Sequence, residues 1–186
     1  MQLNVRLLPI ADVKLITTSR MVDVRGYFWE TYVRSDFAAH GLDHDFMQDN
    51  ESSSDHAGTV RGLHFQKQPF AQAKLVRVLR GKIIDVVVDI RRSSPSFGKH
   101  LAVELSEIGG EQLFVPPGFA HGFCTLEPNT AVLYKVDAAY SPAHDHGIYW
   151  ADPELAIKWP VAPGHAILSD KDRNLPMLRD LSPVFD

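Results

Sequence analysis

Hydrophobic and polar positions alternate with a period of two through the middle of the chain, the spacing of β-strands. Between Ile83 and Ile90, residues Ile84, Val86, Val88 and Ile90 fall on one face, while Asp85 and Asp89 fall on the other. A second apolar run, Lys74 to Leu79, joins it through Arg80-Gly81, which reads as a turn. Leu101, Val103 and Leu105 alternate in the same way, Gly109-Gly110 turns the chain into Gln112 to Val115, and Ala131 to Val136 makes another strand. Helical signals are few. Ser35 to His40 reads as a short helix with Ser35 as N-cap and Gly41 beyond its end. Asp152 to Lys158 reads as another, with Pro153 in its first turn. No repeat, linker or low-complexity tract interrupts the chain, so one domain is expected over residues 1–186. Many short strands broken by turn residues predict an all-β antiparallel sandwich or small barrel.

Composition narrows the function classes. The 186 residues are 45% hydrophobic and 23% charged, ordinary for a folded domain with a full-sized core. A net charge of −4 gives no support to a nucleic-acid or anionic-membrane partner, since neither rewards net negative charge. A local basic pocket for a small anion remains compatible with it. The single cysteine, Cys124, forbids an intrachain disulfide and a multi-cysteine zinc site. Met1 to Val13 lacks a basic stretch leading into an apolar run, and no segment reaches the ~20 apolar residues of a spanning helix. A cytoplasmic protein is expected.

The segment Gly110 to His121 carries Gly110, Pro116, Gly118 and His121 at a spacing similar to the second cupin motif, in which a proline-glycine turn presents a histidine into a barrel mouth. The fold class expected is therefore a cupin-type jelly-roll β-barrel with a few short helices. A metal-binding cupin carries an asparagine four residues later, where this chain has Thr125. Its first motif offers two histidines and a glutamate. Here His64 is followed by Gln66, and Lys67 to Ala71 contain no carboxylate. A catalytic metal generally needs three suitable protein ligands. Two histidines are in place and no third ligand is, because the neutral amide of Gln66 binds transition metals poorly. His144 and His146 sit among turn residues and are expected in solvent. No metal and no cofactor are expected.

A longer set of segments is more specific. Asp23 to Phe28 (DVRGYF), Gln48-Asp49-Asn50, Arg61 to Gln66 (RGLHFQ), Gln72 to Val76 (QAKLV), Val86 to Arg91 (VVVDIR) and Gly118 to Phe123 (GFAHGF) follow one another in order. Tyr134, Tyr140-Ser141-Pro142, Trp150 to Pro153 and Ser169 to Asp172 continue the series. Together, from about residue 20 to residue 178, they resemble the dTDP-sugar 3,5-epimerase family. The resemblance implies action on a dTDP-4-keto-6-deoxy sugar at C3 and C5, giving dTDP-4-dehydro-L-rhamnose. The protons flanking a carbonyl are acidified, so the reaction needs a base on one face, an acid on the other and a partner for the enolate oxygen. The resemblance implies His64 as base, a role suited to a group that titrates near neutral pH. It implies Asp172 as the carboxylate that orients the imidazole, Tyr134 as the opposite-face acid and Lys74 as the cation at the enolate oxygen.

A dTDP-sugar also presents a diphosphate and a flat base. The resemblance implies Arg61 and Lys171 at the phosphates, His121 at the diphosphate or sugar, and Tyr140 stacked on thymine. It implies Gln48 and Asn50 at base or sugar, and Arg25, Phe28 and Glu30 reaching a nucleotide partly across a subunit boundary. A homodimer with exchanged N-terminal strands is thus expected. Where the family commonly has a glutamate shortly after Tyr-x-Pro, this chain has Asp145, and the shorter carboxylate is expected to weaken a nucleotide contact.

Other readings stay open on the residues alone. They are a relative that inverts only one carbon, a metal-dependent cupin enzyme, and a non-catalytic carbohydrate-binding jelly roll. The chain has no Gly-x-Gly-x-x-Gly dinucleotide fingerprint, so any later reduction of the product falls to a separate enzyme.

Overall fold

The alternating runs form strands, and in the computed structural model they account for most of the regular structure. The structure describes residues 2–182 and 184–186. The chain opens with β1 (Leu3–Leu7), β2 (Lys14–Thr18), β3 (Arg20–Asp23) and β4 (Gly26–Trp29), followed by α1 (Arg34–Ala39). Next come β5 (Gln48–Ser54), β6 (Val60–Gln66), β7 (Lys74–Arg80) and β8 (Lys82–Asp89). β9 (His100–Ser106), β10 (Gln112–Val115), β11 (Phe119–Thr125), β12 (Thr130–Val136) and the short β13 (Asp145–Gly147) complete the sheets. A one-turn helix, α2 (Asp170–Arg173), lies near the end of the chain.

Two antiparallel sheets face each other. One has the order β1-β2-β10-β7-β12-β5 and the other β13-β6-β11-β8-β9, while β3 and β4 form a separate hairpin. From β5 onward the chain crosses between the two sheets at each step except the β8–β9 hairpin, as in a jelly roll. Between the sheets lie Val76, Val78, Val87, Leu105, Leu113, Phe119, Phe123 and Val132. Period two explains the second layer. The alternate residues of β8, Val86 and Val88, continue in Ile90 and pack outward with Leu63, Phe65 and Ile148 beneath the C-terminal segment at Leu178. On the outer face of the other sheet, α1 seats Phe37, fully buried, beside Ile16, Leu75 and Phe114.

Two helix expectations are corrected. The first helix starts at Arg34, so Val33 and not Ser35 occupies the N-cap, without a side-chain bond. Ser35 sits inside the first turn, its hydroxyl 3.2 Å from Asp36. Gly41 does follow the end, at φ 75°. Residues 152–158 form a turn and not a helix. Asp152 is buried, its side chain accepts from the N–H groups of Glu154 and Leu178, and Ala156 turns the chain at φ 49°. A side chain already committed to backbone donors offers the chain an alternative to helix. Among the described residues no helix is long and apolar enough to cross a membrane.

Asp89 ends β8. It is fully buried and accepts from Arg91 Nε at 2.9 Å and Nη2 at 2.7 Å, from the hydroxyls of Ser94 and Ser96, and from the Arg91 N–H. Burial alone would raise its pKa, but these bonds outweigh burial and bring it to about 2, from an ordinary 3.8. A depressed carboxylate adds stability that is complete above the unfolded pKa and lost as pH falls through the folded one. Asp89→Asn is expected to cost about 3 kcal/mol at neutral pH, because Arg91 loses its buried partner. In urea unfolding the gap between variant and wild type should narrow as pH drops from 4 towards 2.

Candidate active site

The cavity between the sheets opens beside β6 and β11, with a volume of about 440 Å³. His64 and His121 are direct cross-strand partners there. Strand alternation would normally send Arg61 and His64, three residues apart, to opposite faces. A bulge prevents this: Phe123 pairs with Arg61 and His121 with His64, so three steps of β6 match two of β11. Arg61 and His64 therefore both line the cavity. The bulge needs glycine, since a Cβ on Gly62 would lie 2.6 Å from Gly122 Cα and 2.8 Å from the His121 carbonyl oxygen.

His64 is half-buried, and its Nε2 lies 2.6 Å from Asp172 Oδ1. Asp172 Oδ2 accepts from the Gly62 N–H at 3.2 Å. The carboxylate reaches the site from α2, whose start is capped by Ser169 Oγ accepting from the Asp172 N–H. Burial raises the Asp172 carboxyl, but the hydrogen bond and charge of His64 and the Gly62 N–H hold it below the ordinary range. The ionised carboxylate fixes the hydrogen of His64 on Nε2 and leaves Nδ1 as the basic nitrogen.

The opposite wall belongs to the other sheet. Tyr134 and Lys74 line it from β12 and β7. Burial raises the Tyr134 phenol, so the hydroxyl stays protonated at neutral pH. Burial lowers the Lys74 ammonium to about 8, against the raising charges of Asp85 and Asp145. Its hydrogen bond is a long one, 3.4 Å to the His64 carbonyl oxygen. The Arg61 guanidinium donates from Nε to Ser54 Oγ and from Nη2 to the Ser53 carbonyl, which tie one edge of it to β5.

A family profile described as dTDP-4-dehydrorhamnose 3,5-epimerase matches residues 7–180. The chain belongs to this family. A dTDP-4-dehydrorhamnose 3,5-epimerase of Sinorhizobium fredii is 50% identical over 178 residues, covering 96% of this chain and 91% of its own. The Bacillus anthracis enzyme of the same name, solved with TDP and PPi bound, is 50% identical with a TM-score of 0.92, over 95% of this chain and 99% of that one. A dTDP-6-deoxy-D-glucose-3,5-epimerase from Legionella pneumophila, solved with dTDP-4-keto-L-rhamnose, is 38% identical with a TM-score of 0.93, over 97% and 95%. These structure neighbours support the jelly-roll fold class.

Against that family pattern, His64, Asp172, Tyr134, Lys74, Arg61, His121 and Lys171 share one cavity. Tyr140 is 57% exposed and donates from its hydroxyl to Asp145, which also pairs with Lys171. Asp145 thus links a ring expected at the base to a cation expected at the phosphates. Gln48 donates to Asn50 and accepts from the Tyr140 N–H, and Asn50 stands opposite Tyr134 across the sheet. Arg25, Phe28 and Glu30 are not among the cavity's lining residues; Arg25 pairs with Asp23 in the hairpin turn, and Phe28 is 63% exposed.

His144 and His146 correct the expectation of solvent exposure. Both are half-buried, with His144 bonded to Ser141 Oγ at 2.8 Å over the Phe70 ring, and His146 stacked on Phe65. Gln66 donates to the carbonyls of Phe70 and Ala139 and accepts from the Ser141 N–H, so its amide joins two loops. Among the described residues no group of three or more His, Cys, Asp or Glu is placed to hold a metal ion. Sequence reasoning missed Ser52 and Asp85. Ser52 lines the cavity from β5, and its hydroxyl is buried without a hydrogen-bond partner. Asp85 had a visible signal, a carboxylate inside an apolar strand, which is costly unless it is matched.

Gly62→Ala is expected to lower stability by about 3 kcal/mol, because backbone atoms, and no flexible side chain, block the new methyl. Gly164→Ala, where a Cβ meets nothing within 4 Å, should stay within about 0.5 kcal/mol of wild type. Urea unfolding of the two variants side by side checks both.

Proposed function

We propose that this chain epimerises a dTDP-4-keto-6-deoxy-hexose at C3 and C5, giving dTDP-4-dehydro-L-rhamnose for deoxysugar biosynthesis. The observation that carries the reading is a base and an acid on facing walls of one cavity. His64, bonded to Asp172 of α2, comes from one sheet and Tyr134 from the other. Inversion at carbon requires removal of a proton from one face and delivery to the other.

In this reading His64 Nδ1 takes the proton beside the ketone, and Asp172 stabilises the imidazolium that forms. The electrons move onto the C4 oxygen, where the Lys74 ammonium meets the growing negative charge. Tyr134 then donates its phenolic proton to the carbon from the opposite wall and recovers one from solvent, while His64 releases to solvent the proton it took. Two such rounds invert C3 and C5. Arg61 and Lys171 hold the diphosphate, with His121 beside them, and Tyr140 stacks on the base with Gln48 and Asn50 at its edge. Asp145 orients both Tyr140 and Lys171 for these roles.

The hairpin supports a homodimer in which N-terminal strands are exchanged. Its residues Val22, Val24, Tyr27 and Phe28 are 79%, 104%, 58% and 63% exposed, an apolar surface that a second copy would cover. Arg25, Phe28 and Glu30 would then complete the partner's nucleotide site. Mixing Arg25→Ala with His64→Ala protein should restore activity that neither has alone, since some mixed dimers then contain one intact site. Absence of recovery in a mixture shown to exchange subunits would overturn the shared site.

Chelator-treated protein, incubated with the keto-sugar in deuterated water, should carry deuterium into both C3 and C5 by NMR. His64→Ala should slow that exchange by roughly 10²–10⁴-fold. Tyr134→Phe should still exchange, because the imidazolium returns a solvent deuteron to its own face, while inverted product falls. Exchange in His64→Ala at the wild-type rate would overturn the assignment. The rate should also fall as pH rises through about 8, where Lys74 loses its charge.

A further inference from the structure

Asp85 is a buried charge for which the reaction above has no direct use. It lies on β8 with no exposure to solvent, and both its oxygens face the same atom, His121 Nε2, at 2.9 and 3.0 Å. Asp89, four residues along the strand, shows what a structural carboxylate looks like here. It has an arginine fork, two hydroxyls and a backbone N–H. Asp85 has one imidazole nitrogen. A buried carboxylate so sparsely bonded is costly unless nearby cations hold it.

Lys74 is the complementary case. It is a buried ammonium whose hydrogen bond to a carbonyl is long, and no carboxylate lies in salt-bridge contact with it among the described residues. The groups that face it come from every wall. Asp85 is on β8, Asp145 on β13, His64 and Arg61 on β6, His121 on β11, Tyr134 on β12, and Lys171 and Asp172 on α2. Burial lowers the Lys74 ammonium, and the charges of Asp85 and Asp145 oppose it. Asp145 already pairs with Lys171. Asp85 and His121 sit diagonally on the inner face of neighbouring strands, since His121 pairs with Val87 and Phe123 with Asp85.

We propose that Asp85 is a positioning residue: its negative charge keeps Lys74 an ammonium and fixes His121 in the tautomer that carries hydrogen on Nε2. The oxyanion side of the cavity is thereby positive before substrate enters. A site charged in advance needs no reorganisation when the enolate forms. This deepens the reading of Lys74 given above and rests on it.

Asp85→Asn tests it, because the amide keeps the shape and can still accept from His121. Two readouts are taken: the pH profile of kcat, and the titration of the Lys74 side chain by ¹³C NMR of its Cε in substrate-free protein. An opposite charge typically moves a pKa by about 1–3 units. The alkaline limb is therefore expected about one unit lower, with kcat at pH 8 down about fivefold and exchange retained near pH 6. The Lys74 titration should move with it. Equal loss of activity at every pH, with Lys74 titrating as in wild type, would overturn the proposal. If Asp85→Asn does not fold, the ¹³Cγ shift of Asp85 in wild type decides. The proposal requires a charged carboxylate at neutral pH, and a neutral one would sink it. The substrate-free titrations report on Asp85 whether or not the keto-sugar reacts, so failure here is distinct from failure of the epimerase reading.

Discussion

The contact on which the site depends is a close approach of two backbones. β6 and β11 meet at Gly62 and Gly122 with no room for a Cβ on either. That approach lets β6 carry one residue more than its partner, and the extra residue turns both Arg61 and His64 inward. The Gly62 N–H freed by the bulge is the same group that donates to Asp172. A single irregularity in the ladder thus aims two cavity residues and anchors a third from far along the chain. A regular strand would have directed Arg61 or His64 into the outer apolar layer with Leu63 and Phe65.

Buried carboxylates divide the molecule by role. Asp89 and Asp152 are satisfied by donors from their own neighbourhoods and serve the chain's path. Asp172 is shared between an imidazole and a backbone N–H, so it serves both folding and the orientation of a side chain. Each is tolerable only because a donor or a cation offsets the loss of water. Asp145 is matched in the same way, accepting from the Tyr140 hydroxyl and pairing with Lys171.

Much of this was legible in the sequence, for physical reasons that also mark where legibility ended. The runs at β7, β8, β10 and β12 were readable because one face of each is buried and apolar. β5 was not, because Gln48, Asn50, Ser52 and Ser54 point inward and Asp49, Glu51 and Ser53 outward. Its exposure alternates while its polarity does not, so no hydrophobic period exists to be read. The helix expected after Asp152 failed because the side chain had found backbone donors, one of them at Leu178. His64 and Asp172 are 108 residues apart, and only their motif context joined them. Ser52 and Asp85 carried no motif assignment, and their importance follows from where two strands place them.

His64 and Tyr134, the proton acceptor and donor of the proposed reaction, stand on different sheets, held apart by the apolar layer between them. Val76, Val87, Leu113, Phe123 and Val132 therefore act as a spacer as well as a core. Interiors pack too densely to absorb a changed methylene without a shift. A misplacement of about 1 Å can cost a reaction 10²-fold. Residues that never touch a sugar would thus help to decide its handedness, and a substitution there could spare the melting temperature yet alter the ratio of epimers released.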